Sequence, residues 1–148
     1  MRGYKVQKYR GGSSIDDFTI VNNGILKQRQ VEFNPIDDIG GYYKIESQLT
    51  LDGTFYPLDL ASDLGVTTNA THVSVKIRSK TANAGDANRI RLRGDSNTDV
   101  ADEFEAEPQV DNQREYDEGL VPVVEGKIEY AAPAAMTEVK ILVRGYYA

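Results

Sequence analysis

Four short stretches of this chain alternate apolar and polar residues with a period of two, and no other feature limits the fold as strongly. They are Val73-Ser74-Val75-Lys76-Ile77-Arg78, Arg89-Ile90-Arg91-Leu92-Arg93, Lys127-Ile128-Glu129-Tyr130, and a last one in which Val139, Ile141 and Val143 alternate with Glu138, Lys140 and Arg144. Successive side chains of a strand point to opposite faces, so each stretch reads as an extended strand with one apolar and one charged face. Sheets built from such strands are antiparallel, wet on one side and packed on the other. Tyr146, Tyr147 and Ala148 follow the last strand directly, which predicts a C-terminus built into the sheet and a domain that closes with it. No segment places apolar residues at helical spacing over ten or more positions. The body is therefore expected to hold no helix longer than about two turns.

Turn signals divide the remainder. Tyr4 to Tyr9 reads as a short strand with tyrosines on one face, broken by Gly11-Gly12-Ser13-Ser14. Phe18-Thr19-Ile20-Val21 runs into Asn22-Asn23-Gly24, and mixed alternation follows from Ile25 to Phe33, the signature of a hairpin. Asn34-Pro35, Asp37-Asp38 and Gly40-Gly41 read as a hinge between an N-terminal arm or hairpin, residues 1–41, and a body, residues 42–148. Within the body, Tyr43, Ile45, Leu49 and Leu51 share one face of a further strand, and Asp52-Gly53 turns the chain. Pro57 limits pairing, residues 59–64 suit one helical turn, and loops are expected at 81–88, across 94–118 and at 131–135. Several short strands with turns at this spacing define the expected fold: all-β, an antiparallel β-sandwich, jelly-roll-like, with an N-terminal arm or hairpin.

Size and charge then limit the partners. A chain of 148 residues fits one domain, or a domain plus an arm, and buries roughly 70% of its unfolded surface without staples. With no cysteine, disulfides, thiolate nucleophiles and sulfur-ligated metals are excluded. No apolar run approaches the ~20 residues of a membrane-spanning helix, and Met1-Arg2-Gly3-Tyr4-Lys5 leads into no signal-peptide core, so no membrane role and synthesis and assembly in a cytoplasm are expected. A net charge of −6 and a pI near 4.8 argue against nucleic acid as the partner. The charge is uneven. Residues 1–10 carry Arg2, Lys5, Lys8 and Arg10 without an acid, whereas residues 99–118 are crowded with Asp and Glu against Arg114 alone. The plain reading is a basic tail and a solvated acidic loop; the sharper one is an arm that docks on an acidic neighbouring subunit.

Chemistry has little to stand on. His72, the single histidine, begins a strand, and no Gly-x-Ser-x-Gly elbow accompanies it, so it reads as structural. No phosphate loop or dinucleotide fingerprint is present, and the paired carboxylates of 99–118 lack the tryptophan expected beside a cleaved sugar. No catalytic residue and no cofactor is expected. Asp95, Asn97 and Asp99 alternate as a weak calcium candidate, but Val100 and Ala106 stand where an EF-hand needs Gly and Glu, which leaves a solvated turn as the plainer reading. Arg93-Gly94-Asp95 spells the integrin tripeptide, which Gly-Asp turn chemistry after a strand also explains. Arg89, Arg91 and Arg93 lie on one strand face within roughly 14 Å. Three like charges so close call for opposing acids, and a neighbouring copy's 99–118 segment is the expected donor, which marks these arginines as an oligomer interface.

The strand segments also carry a resemblance. Asn69-Ala70-Thr71-His72-Val73-Ser74-Val75, Ile90-Arg91-Leu92-Arg93-Gly94-Asp95-Ser96-Asn97, Gly126-Lys127-Ile128-Glu129-Tyr130 and Val139-Lys140-Ile141-Leu142-Val143-Arg144-Gly145-Tyr146 occur in that order. Over roughly residues 55–148 the chain resembles the small β-sandwich modules of tailed-bacteriophage structural proteins, especially head decoration (cement) proteins and fibre or spike tips. The resemblance implies a homotrimeric virion component on the exterior of the head, bound to the major capsid protein. Arg2, Tyr4, Lys5, Lys8, Tyr9 and Arg10 are then the expected capsid-docking residues. The alternative is a head- or tail-fibre tip that binds a host-surface glycan. Tyr4, Tyr9, Phe18 and Phe33 lie in the N-terminal third, while the body's expected loops at 81–88 and 94–118 hold only Phe104 and Tyr116, which favours decoration.

Overall fold

The computed structural model describes residues 18–20, 26–28, 31–36, 42–66, 69–99 and 103–148. The chain forms two compact units, Met1–Glu32 and Phe33–Ala148. In the first, β1 (Phe18–Ile20) pairs antiparallel with β2 (Leu26–Gln28), with Phe18 opposite Gln28 and Ile20 opposite Leu26. This is the hairpin that the Asn-Asn-Gly signal predicts. Its turn lies outside the described residues, as does the expected Tyr4–Tyr9 strand.

The second unit is two antiparallel sheets packed face to face. Its strands are β3 (Phe33–Pro35), β4 (Tyr43–Ile45), β5 (Tyr56–Asp59), β6 (His72–Thr81), β7 (Ile90–Gly94), β8 (Phe104–Ala106), β9 (Glu115–Pro122), β10 (Lys127–Ala131) and β11 (Met136–Tyr147). One sheet runs β5-β10-β7-β8; in the other β11 pairs β6, which pairs β9, while β3 and β4 both join the far side of β11. Counting from β4, one sheet therefore takes the first, eighth, third and sixth strands and the other the second, seventh, fourth and fifth. That interleaving is the strand order of a jelly roll. It also sends the 46–55, 82–89, 107–114 and 132–135 connections to one end of the sandwich, and 123–126 with the described residues 60–66, 69–71 and 95–99 to the other.

Sequence alternation builds the core. Along β6 every second residue is buried, with Val73, Val75 and Ile77 fully enclosed, and β11 sets Ile141 opposite Ile77, Val143 opposite Val75 and the buried Val139 opposite Ser79. Ile90 and Leu92 of β7, Ile128 and Tyr130 of β10 and Leu58 of β5 close the core from the opposite sheet. Between Val143 and Gly145 a bulge shifts the register. Downstream of it Tyr146 packs against the core, while the Tyr147 ring meets Phe33 at a 55° tilt, centroids 5.0 Å apart. The expected helical turn is present at residues 59–65, where Asp63 N–H donates to Asp59 C=O and Gly65 N–H to Ala61 C=O. Asp59 caps it by accepting from the Ala61 and Ser62 N–H groups.

Three expectations are corrected. Residues 42–51 are not one strand, because a 3-10 turn at Glu46–Gln48 interrupts them; the Gln48 side chain accepts the Ile45 N–H, and Leu49 and Leu51 reach the core from the loop beyond. Residues 94–118 are not all loop: β8 and β9 both fall within or begin inside that stretch. Acids masked β9 because its outward set includes Glu118 while its inward set includes Glu115 and Asp117, so neither face reads as apolar. Phe33–Pro35, read as part of the arm, pairs with the end of β11.

Gly119 of β9 is a point of close approach between the two sheets. A Cβ at that position would lie 2.5 Å from the Phe104 ring of β8. Gly119→Ala is therefore expected to destabilise the body by about 1–3 kcal/mol through overpacking, read as a lower urea midpoint at unchanged slope. An unchanged midpoint would show that the ring yields freely.

Candidate functional site

The four connections gathered at one end of the sandwich are tied into a single surface by their own backbone. Gly53 N–H donates to Ala132 C=O, Gly85 N–H to Pro108 C=O and Asn112 N–H to Thr81 C=O. Thr81 Oγ1, buried, donates to Ala135 C=O, and Asp111 accepts the Ala84 N–H at 2.7 Å. Asp52-Gly53, Gly85-Asp86 and Ala134-Ala135 are small or turn-forming residues, which lets these loops approach each other.

A cleft of about 440 Å³ opens here, lined by Asp52, Gly53, Asp86, Arg89, Arg91 and Pro133 among others. Its charged groups are engaged already. Asp52 accepts the Tyr56 hydroxyl at 2.7 Å and the Thr54 N–H at 2.8 Å; these bonds, the hydroxyl's first, hold its carboxyl below the usual range. Glu107 shares a hydrogen bond with Asp86, and this contact, followed by desolvation, pushes the Glu107 carboxyl up.

Arg89, Arg91 and Arg93 do form a row, on the outer face of the β5-β10-β7-β8 sheet, and each has an acid in its own chain. Arg89 Nη1 lies 3.2 Å from Glu105, Arg91 Nη1 3.9 Å from Glu103, and Arg93 Nε 2.6 Å from Glu129. Phe55 lies across the row, with its ring centre 3.6 Å from the Arg93 guanidinium and 4.7 Å from that of Arg91. The premise that the acids must come from a neighbouring copy is thus overturned, because β8 folds back beside β7 and brings Glu105 directly opposite Arg91. These arginines supply no reason of their own to invoke an interface.

The other candidates resolve locally. Arg93 is locked against Glu129 and Phe55, and Gly94 is buried 3.0 Å, at its would-be Cβ, from Val124, so Arg93-Gly94-Asp95 is not displayed as a loop tip and the integrin reading is withdrawn. Asn97 N–H donates to Gly94 C=O and the Asn97 side chain accepts the Asp99 N–H at 2.9 Å, a turn closed by its own amide. Among the described residues no group of three or more His, Asp or Glu side chains is placed to share a metal ion. His72 is exposed at the head of β6, its Nδ1 3.3 Å from Thr71 Oγ1. Arg2, Tyr4, Lys5, Lys8, Tyr9 and Arg10 lie outside the described residues.

Sequence reasoning missed Asp52, Asp86 and Glu107 as neighbours, since only the jelly-roll order brings their loops to one end. It also missed Asp117. This residue shares the inward side of β9 with Gly119 and Val121, and desolvation, then the charge of Glu115, pushes its carboxyl up. The signal was available: an acid at the inward phase of a strand that ends in a buried valine.

Two predictions follow the geometry. Arg93 and Glu129 are mostly covered, at 16% and 13% side-chain exposure, so Arg93→Ala strands a carboxylate and is expected to cost about 2 kcal/mol. Arg89→Ala, in an exposed pair, is expected to cost about 0–1 kcal/mol; equal urea midpoints for the two variants would contradict this. For Asp117, a folded-state pKa above the unfolded value means that the folded state binds the proton more tightly. Its charge therefore penalises folding above the folded pKa, and the penalty vanishes below the unfolded one, near ~4. Asp117→Asn is expected to raise the melting temperature at pH 7 and to leave it unchanged near pH 3, with scans at both values deciding.

No family model, no curated protein and no solved structure matches this chain.

Proposed function

We propose that this protein is a non-enzymatic structural component of a tailed-phage virion: a homotrimeric head decoration (cement) protein that bridges subunits of the major capsid protein on the exterior of the head. The observation that carries the reading is a jelly-roll body preceded in the chain by a separate compact unit. Jelly rolls serve as capsid and lectin domains, and that support is one of architectural analogy. The strand segments that resemble decoration modules fall on β6, β7, β10 and β11, the central strands of both sheets. The ionised groups of the cleft are spent on turns and internal pairs, which suits a stiff binding body better than a centre for acid–base work.

In this reading the stiff sandwich adds contact area across seams between capsid subunits, and the basic, aromatic residues Arg2, Tyr4, Lys5, Lys8, Tyr9 and Arg10 seat it. A second reading, a fibre tip that binds a host-surface glycan, is favoured by the polar cleft at the four-loop end.

The test is reconstitution. Purified protein added to expanded, undecorated heads is expected to saturate discrete exterior sites and to raise the temperature at which the heads rupture. Deleting residues 1–12 is expected to leave a folded body, whose core draws on residues from Ile36 onward, while abolishing occupancy. Native occupancy by the truncated protein removes the docking role of the arm. Failure of the full chain to bind heads, together with saturable binding to host cells, selects the fibre-tip reading instead.

A further inference from the structure

Of the 17 Lys and Arg and 23 Asp and Glu in the chain, residues 1–32 hold six and three, which leaves residues 33–148 with eleven cations against twenty acids. Within that acidic body the outer face of the β11-β6-β9 sheet is basic. Lys76, Arg78 and Lys80 alternate along β6, Lys140 of β11 stands opposite Arg78, and Arg114, just before β9, reaches the same row. Arg144 is exposed farther along β11. The carboxylates among these cations are Glu118 and Glu138, and at the β4 margin Glu46 is occupied by the Val139 N–H. Glu138 is taken up by Arg114, at 2.7 and 3.0 Å, so Arg78, 3.6 Å away, keeps a covered Nε without a hydrogen bond. Arg114 first, then Arg78 and Lys80, hold the Glu138 carboxyl below its usual range, so one acid answers to three cations. Lys76 lies 3.9 Å from Glu118 and 4.9 Å from the centre of the Tyr116 ring. Lys80 and Lys140 form no ion pair among the described residues, and Lys140 rests over the Tyr43 ring. Tyr116 and Leu120 project from β9 beside these cations, each 54% exposed.

The nearest occupants are poorly matched to this face. Residues 1–32 of the same chain carry a positive surplus and would set like charge against like. The same face of a second copy would do so too, and the four-loop end of a copy has Arg89 and Arg91 among its acids. A uniform polyanion such as a sulfated polysaccharide would meet Glu118 and Glu138 between the cations, and a net charge of −6 over the whole chain. A folded partner avoids both costs, because it places carboxylates only where the cations are. Exposed tyrosine and leucine beside arginine are also the surface that protein interfaces bury at their centres. We infer that the outer face of the β11-β6-β9 sheet docks an acidic patch of a different protein. The partner's carboxylates meet Arg78, Lys80 and Lys140, and its apolar side chains cover Tyr116 and Leu120. Charge selects the partner and fixes its register, while burial of the tyrosine and leucine holds it. The inference goes beyond the proposed function, since it needs neither the N-terminal residues nor any oligomeric state.

The probe is a fluorescently labelled random copolymer of glutamate and tyrosine, an acidic polypeptide with apolar side chains, titrated with the full chain while anisotropy is read. Saturable binding is expected, weakening as salt rises. Lys80→Gln with Lys140→Gln is expected to weaken it about tenfold, the size of effect that charges across an interface produce. Neither lysine has an ion pair to lose, and urea midpoints check that each variant folds. Should the double variant unfold, Lys140→Gln alone takes its place, with a loss of about threefold expected. Tyr116→Ser with Leu120→Ser is expected to weaken copolymer binding about fivefold and to leave binding of heparin, which has no apolar side chain, unchanged. Lys27→Gln with Lys127→Gln removes the same charge from β2 and β10 and is expected to change nothing. A wild type that ignores the copolymer overturns the inference. Binding that survives the loss of Lys80 and Lys140 overturns it, as does an equal loss in the Lys27/Lys127 protein, because the charge then acts from elsewhere. Heparin bound more tightly than the copolymer, with the Tyr116/Leu120 changes affecting neither, also overturns it by assigning the face to an anionic polysaccharide.

Discussion

The body depends on one pairing, that of β6 with β11. Ten register positions run from Met136 opposite Thr81 to Tyr147 opposite His72, and the closest pair in sequence is separated by all of β7 to β10. Val73, Val75 and Ile77 of β6 and Val139, Ile141 and Val143 of β11 all turn to the inner side, and these six side chains are fully enclosed. A buried aliphatic side chain contributes roughly 1.5–3 kcal/mol relative to exposure, so this double row outweighs any exposed ion pair on the surface. Because the pairing is so long-range, its loop-closure entropy must be met before its contacts form. The intervening strands reduce that cost by folding against the same row.

The two outer faces show how similar sequences acquire different roles. Both central strands present cations at alternate outward positions. On β7 the arginines are opposed by Glu105 and Glu129 from adjacent strands and roofed by Phe55, so that face is neutral and internally complete. On β6 the flanking strands supply only Glu118 and Glu138, and the face keeps a positive excess. The difference comes from which strands are neighbours. Strand order, more than local composition, decides which charges remain available to another molecule.

This also explains what could be read from the sequence. Period-two alternation located β6, β7, β10 and β11 because each has one wet and one dry face. The Asn-Asn-Gly turn located the first hairpin. The alternation could not locate β8 and β9, where Glu105, Glu115, Asp117 and Glu118 occupy strand positions that a simple in-out rule assigns to loops. Nor could it foresee the bulge at Arg144, which reverses the faces of Tyr146 and Tyr147. The cleft was invisible for a different reason: Asp52, Asp86 and Pro133 are remote in sequence and are joined only by the interleaving of the two sheets.

Asp117 has a meaning beyond its energetic penalty. β9, eight residues long, pairs with β6 alone, so its other side is the longest open sheet margin among the described strands. An open margin is a template on which any extended chain can add itself, and an ionised side chain turned inward is one means by which natural sheets prevent such extension. A strand added beside β9 would trap Asp117 and Glu115 away from water with no cation to meet them. Stability given up at this position thus guards the open margin of β9 against pairing with further extended chains and growing into a continuous sheet.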